Sequence, residues 1–183
     1  MNRANGYEVI FLVLFLVGVT AALASSVESQ RPRPIPASEW TYDAHTWAAR
    51  MCHAEAAFRL DDCTEMLWVV TRRWDGSSRP WLAVMRNYSV PMHVHPRSMS
   101  PRKREIRSYP WGDVPGKSDR FNRRWMAQRM HVIQWAMGKH PSKYPDAVHW
   151  GGDMDTPSSA LVALPNQGTA NTFYRLRKKA QND

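Results

Sequence analysis

From Glu39 to about Phe58 the apolar residues Trp40, Ala44, Trp47, Ala48, Met51 and Cys52 return every three or four positions. That spacing gathers them on one face of an α-helix and excludes a strand, whose faces alternate at every second residue. Ser38 is the expected cap, with Glu39 and Asp43 near the positive end of the helix dipole. Continued by one turn, the stripe reaches Glu55, so a carboxylate falls on the face expected to be buried. Two chemistries fit an acid in that place. It is either the partner of a nearby arginine, Arg50 or Arg59, at the rim of the core, or a general acid held among apolar walls and open to a cleft.

The same reading extends along the chain. Asp62 and Glu65 have the spacing of a capping box, which opens a second helix at Asp61 or Asp62 with Cys63, Met66, Leu67, Val70 and Trp74 inside. Asp75-Gly76-Ser77-Ser78 breaks it, and a shorter helix follows from about Arg79 to Arg86 with Pro80 in its first turn. Between Val90 and Pro115 the prolines 91, 96, 101, 110 and 115 predict a loop. A last long helix is expected from Asp119 to Met137, capped by Ser118 and closed by Gly138, with Met126, Met130, Ile133 and Met137 along one side. Leu161 to Leu164 and Thr172 to Leu176 read as short extended segments. The fold class is mainly α, with one folded domain over 37–183.

The N-terminus sets the expected compartment. Val9 to Ala24 is sixteen residues without a charge. As a helix it spans roughly 24 Å, short of the roughly 30 Å hydrocarbon core of a bilayer. Arg3 precedes the run, and Ala22-Leu23-Ala24 has the small-x-small form that a signal peptidase cuts. Residues 1–24 therefore read as a signal peptide, cleaved after Ala24, or as a signal anchor that is kept. Ser25 to Pro36 alternates in proline and predicts a stiff spacer over 25–36. The chain is expected to be exported, to the periplasm or to the inner membrane as an anchored protein, with a phage virion as the alternative.

Charge narrows the partners. Lys and Arg number 25 against 16 Asp and Glu, a net +9, so an anionic partner is favoured. An exported protein seldom meets nucleic acid, so none is expected as partner. A wall polymer, or the membrane reached through residues 9–24, fits better. The basic run Arg97 to Arg107 suits a polyanion or a solvated loop equally. Nine Trp supply flat apolar faces suited to cores and to sugar rings. His93 and His95 lack a third ligand of suitable spacing, and no metal site is expected. No serine sits in a GxSxG elbow, and neither cysteine has the flanks of a nucleophile. Cys52 and Cys63, eleven positions apart, are open to pairing after export.

What remains is Glu55, the stretch Arg86-Asn87-Tyr88-Ser89, and Val148-His149-Trp150. Cleavage of a glycosidic bond needs a proton donor for the leaving oxygen and a polar, aromatic groove for successive rings. The stretch Met51-Cys52-His53-Ala54-Glu55-Ala56, followed by a helix and then by Trp81 to Ser89, resembles the lysozyme-like lytic transglycosylases and cell-wall hydrolases of bacteria and phages. In that family a Glu-Ala pair ends the first helix and an aromatic-Ser element follows the second. Pro145 to Trp150 resembles the family's G-A-x-H-aromatic segment, and Asn171 to Tyr174 its aromatic close. The four motifs stand in the family's order across roughly residues 40–176.

The resemblance implies a lysozyme-like fold with Glu55 as catalytic acid and then base, and no cofactor. It implies that Asn87, Tyr88, Ser89, His149, Trp150 and Tyr174 line the glycan groove. Peptidoglycan is the implied substrate, cleaved between N-acetylmuramic acid and N-acetylglucosamine. The sequence departs from the family at Asn87, where Gln is common, and at Asn171 and Thr172, where His and Gly-rich sequence are common. A rival of another class is a non-enzymatic, membrane-tethered module that binds the envelope or serves an envelope-spanning or phage apparatus.

Overall fold

The computed structural model describes residues 34–74, 76, 79–92, 100–151 and 158–177. The expected signal or anchor over 1–24, residues 25–33 of the spacer, and His93 and His95 lie outside the described residues. No helix among the described residues is long and apolar enough to cross a membrane. Among the described residues the chain is mainly helical, with one small sheet and the following elements. Five helices, α1 (Tyr42–Ala56), α2 (Leu60–Arg73), α3 (Trp81–Tyr88), α4 (Pro101–Ile106) and α5 (Asp119–Ala136), precede three strands, β1 (His149–Gly151), β2 (Leu161–Ala163) and β3 (Thr172–Leu176). The sheet is antiparallel in the order β1-β3-β2, with β3 central.

Helix α1 is the hub, packed against each of the other four helices. Its inner face, Ala44, Ala48, Ala49, Met51, Cys52 and Ala56, is almost fully buried, and apart from Met51 it is small, which lets the neighbouring helices approach closely. The start differs from the sequence expectation. Residues Ala37–Glu39 form a separate 3-10 turn, and Thr41 caps α1, its Oγ1 accepting from the Ala44 N–H at 3.2 Å. Glu39 instead accepts from the Trp81 N–H at 2.8 Å and so caps the start of α3. Ile35 is only 2% exposed, so the folded unit begins ahead of Ala37 and takes in the end of the spacer. Above it, Trp40 packs edge-on against Trp81 and tilted against Trp135, building an indole cluster that includes Trp68.

Three other expectations are corrected. The Asp62 and Glu65 pair is not a capping box, because α2 already starts at Leu60 and both carboxylates are 1% exposed. Each reaches across the fold to loops far along the chain, an arrangement invisible to a local spacing rule. The proline-rich stretch contains a helix, α4, where Ser100 accepts from the Lys103 N–H at 3.3 Å and Pro101 occupies the first turn. On α5 the methionine stripe faces outward. Met126, Met130 and Met137 are about half exposed, while Trp125, Val132 and Trp135 on the other side are fully buried. Bulkier side chains bury more apolar area, so the indole face wins the core.

Cys52 of α1 and Cys63 of α2 form a disulfide with Cα atoms 4.9 Å apart, which ties the end of α1 to the start of α2. Replacing both cysteines by Ala is expected to cost about 2–3 kcal/mol, the scale of a short closed loop. Chemical denaturation of the oxidised and the double-Ala proteins measures it.

Two buried histidines give the fold a pH dependence. Burial pushes His53 down from 6.5 to about 4, its Nδ1 lying 3.3 Å from the Ala57 carbonyl. His131, stacked on His140, is pushed to about 4 first by burial and then by its neighbour's charge. Both are neutral in the fold and protonated more readily in the unfolded chain. Their contribution is therefore complete above pH 6.5 and is lost as pH falls toward 4. The melting temperature should drop between pH 7 and pH 5, each histidine costing roughly 1–2 kcal/mol. An unchanged melting temperature across that range would contradict it.

Candidate active site

Glu55 is the penultimate residue of α1, one turn past the disulfide. Helix α1 stops there because Ala57 takes φ 53° and ψ −116°, a conformation that non-glycine residues rarely adopt. The turn is held by its surroundings: the Ala57 N–H donates to the His53 carbonyl, and buried Gln128 donates to the Ala57 carbonyl at 3.0 Å. Backbone strain of this kind costs on the order of 1–3 kcal/mol and persists only where neighbours fix it. Its effect is to end α1 abruptly and leave Glu55 half-buried at the mouth of a cleft of about 480 Å³.

The cleft has three walls. The end of α1 supplies His53, Ala54, Glu55 and Ala56; α4 supplies Arg102, Lys103 and Ile106; the segment before β3 supplies Ala170 and Asn171. Arg59 stands at the turn into α2. Arg59, Arg102 and Lys103 thus line the same cleft as the carboxylate, on a chain already strongly basic. The wall at Ala170 and Asn171 is fixed by Asp62, which accepts from both backbone N–H groups at 3.0–3.2 Å.

Ser89 follows α3 and is fully buried, and its hydroxyl donates to Glu55 Oε1 at 3.0 Å. Its side chain orients the carboxyl from behind. Arg50, one of the two arginines weighed as a partner for Glu55, instead donates through Nε and Nη2 to the Tyr109 carbonyl at 2.9 and 2.7 Å. Asp61 pairs with Lys143 at 3.0 Å on the surface.

The other residues singled out from the sequence form a second group, and none of them lines the Glu55 cleft. Tyr88 donates to the Val148 carbonyl at 3.3 Å and is hydrogen-bonded to His149 Nδ1. Its ring meets Trp150 edge-on at 4.8 Å, and Arg73 lies 4.0 Å over it. Burial pushes the Tyr88 hydroxyl up to about 12, so the phenol stays protonated and acts as a donor. His149 and Tyr174 face each other across the β1–β3 register, with ring centroids 5.8 Å apart. Trp150 and Tyr174 are only 8% and 7% exposed, so they offer a ligand no more than an edge; Asn87 is exposed. The sequence thus brings Glu55 to Ser89, and Tyr88 to His149, Trp150 and Tyr174.

Sequence reasoning missed the opposite wall. Arg102, Lys103 and Ile106 belong to the basic stretch whose prolines predict a loop, and the Ser100-Pro101 pair is the available signal for a helix there. Asn171 stands out in the sequence only as a departure from a motif. Among the described residues no three of His, Cys, Asp and Glu gather as a metal site. Comparison with models of protein families, with curated proteins and with solved structures finds no match. The functional reading therefore rests on the residues and their geometry.

Proposed function

We propose that this domain is a lysozyme-like lytic transglycosylase that cleaves the bond between N-acetylmuramic acid and N-acetylglucosamine in peptidoglycan. The observation that carries the reading is Glu55 itself: a carboxyl at the end of the first helix, open to a cleft, with one oxygen held by the Ser89 hydroxyl. Glu55 donates its proton to the glycosidic oxygen as that bond breaks. The resulting carboxylate then accepts the proton of the muramoyl C6 hydroxyl, whose oxygen closes on C1 to give a 1,6-anhydro sugar. Protons balance, and the chemistry requires no cofactor.

Direct hydrolysis by inversion would need a second carboxylate to activate water from the opposite face. The two acids nearest in sequence are engaged elsewhere, Asp62 by Ala170 and Asn171 and Asp61 by Lys143. This supports the intramolecular route. The domain's basic charge suits the anionic wall, and export through residues 1–24 would bring it there, to the periplasm, the inner membrane or a phage particle.

The test is a peptidoglycan zymogram with mass analysis of the soluble products. Clearing with 1,6-anhydromuramoyl products is expected. Clearing with reducing ends would replace the transglycosylase by a hydrolase. Binding without clearing would replace both by a membrane-tethered envelope module.

A further inference from the structure

The cleft beside Glu55 holds more positive charge than its own acid balances. Arg59, Arg102 and Lys103 line it together with Glu55, the one carboxyl among its described lining residues. Buried His53, neutral in the fold, adds no charge. Arg59 stands at the turn into α2, and the other two cations come from α4. Their placement on α4 follows from helix geometry. Ile106 is buried and lines the cleft, and Arg102 and Lys103 precede it by four and three positions, so they share its face. The charge of Arg102 reaches His53 in the α1 wall.

Within the chain these cations are not matched. Among the described residues none of the three side chains forms an ion pair or a hydrogen bond. The acids close by are engaged elsewhere: Glu105 with Lys117 at 2.7 Å, Asp61 with Lys143 at 3.0 Å, and Asp62 with the Ala170 and Asn171 N–H groups. Even with Glu55 ionised, the cleft keeps a surplus of two positive charges. A concave site lined by one sign of charge gathers ligands of the other sign. A neutral glycan leaves the surplus uncompensated, and a glycan that carries an anion beside the scissile bond offsets it.

The proposed reaction decides which anion. It consumes a free C6 hydroxyl on the muramoyl ring, so a phosphate substituent at C6 is excluded. The other acid of that ring is the lactyl carboxyl on O3, which is ionised only where no peptide stem is amide-linked to it. We infer that Arg59, Arg102 and Lys103 form a subsite for the free lactyl carboxylate, so that strands stripped of their stems are the preferred substrate. This inference rests on the proposed peptidoglycan reading and deepens it. The reaction that supplies such strands is an amide hydrolysis: water adds across the lactyl–peptide bond, leaving a carboxylate on the sugar and an ammonium on the stem.

The test uses the full chain and the disaccharide N-acetylglucosaminyl-N-acetylmuramic acid. This probe carries the lactyl carboxylate and lacks the bond that Glu55 would cut, so binding is read without turnover. Its methyl ester is the uncharged counterpart. Calorimetry should show the ester binding about tenfold more weakly, the scale of a charge-assisted hydrogen bond. The double variant Arg102→Gln, Lys103→Gln should bind acid and ester alike, with the ester held as in the wild type. Arg59→Gln lies on another element and answers by the same ratio if the double variant melts early. Equal affinity of the wild type for acid and ester overturns the subsite, as does an acid preference that survives in both variants. Inorganic phosphate that competes as strongly as the disaccharide acid also overturns it, by making the cleft a general anion site. On intact substrate, stem-free strands should be cleared faster than stem-bearing ones, and equal rates overturn the preference. Clearing without acid preference keeps the transglycosylase and removes the subsite. Acid-dependent binding by a protein that never clears peptidoglycan keeps the subsite and overturns the transglycosylase.

Discussion

Glu55→Gln is expected to leave a folded protein that clears peptidoglycan about 10²–10⁴-fold more slowly, the range that a general acid contributes. The amide keeps the shape of the side chain, and its carbonyl oxygen can still accept from Ser89, which lies 3.0 Å from Oε1. What it loses is the proton for the glycosidic oxygen and the basicity that takes the C6 hydroxyl proton afterwards. No replacement is at hand among the neighbouring acids, since Asp62 is buried under two backbone donors and Asp61 is on the surface with Lys143. Stability should change by less than about 1 kcal/mol, because the group is half-buried and keeps its hydrogen bond. The measurement is a zymogram and a turbidity assay beside a melting curve. A variant as active as the wild type removes Glu55 from the mechanism. One that unfolds makes it a structural anchor instead.

The sequence carried this site unevenly, and the reasons are physical. Helix α1 was legible because its apolar residues repeat with the helical period, and Glu55 stood out only as a break in that repeat. The ends of helices were less legible: α1 ends at Ala57 in a left-handed conformation without the glycine that normally signals one. Hydrogen bonds between Gln128, His53 and that carbonyl hold the turn, and they span up to 71 positions. Helix α5 carries two apolar stripes, and local spacing cannot say which one meets α1. The sheet was legible at β2 and β3 but not at β1, three residues that become a strand only by pairing with β3. Asp62 and Glu65 show the same limit most clearly. Their spacing fits a cap, yet Glu65 accepts from Ser142 and the Lys143 N–H at 2.6 Å, 77 and 78 positions away.

Asp62→Ala follows from that correction and should be among the most damaging single changes in the fold. The carboxylate is 1% exposed and accepts from the Ala170 and Asn171 N–H groups, 108 and 109 positions on. Removing it takes a buried charged acceptor from two backbone donors, on exposed Ala170 and half-buried Asn171. Hydrogen bonds to a charged acceptor are worth about 1.5–3 kcal/mol each, so a loss of roughly 3–5 kcal/mol is expected. The melting temperature should fall on the order of 10 °C. The neighbouring Asp61→Ala is the control, since its exposed pair with Lys143 at 3.0 Å contributes only about 0–1 kcal/mol. Asp62→Asn, which keeps one acceptor oxygen, should fall between the two. Because Ala170 and Asn171 form the wall facing Glu55, hydrogen exchange at those two amides should quicken in Asp62→Ala before the rest of the fold opens. Clearing activity should drop with it while Glu55 and Ser89 remain in place. Equal melting of the Asp61→Ala and Asp62→Ala proteins would mean that the segment before β3 is held by the sheet alone, and that the cleft wall does not depend on Asp62.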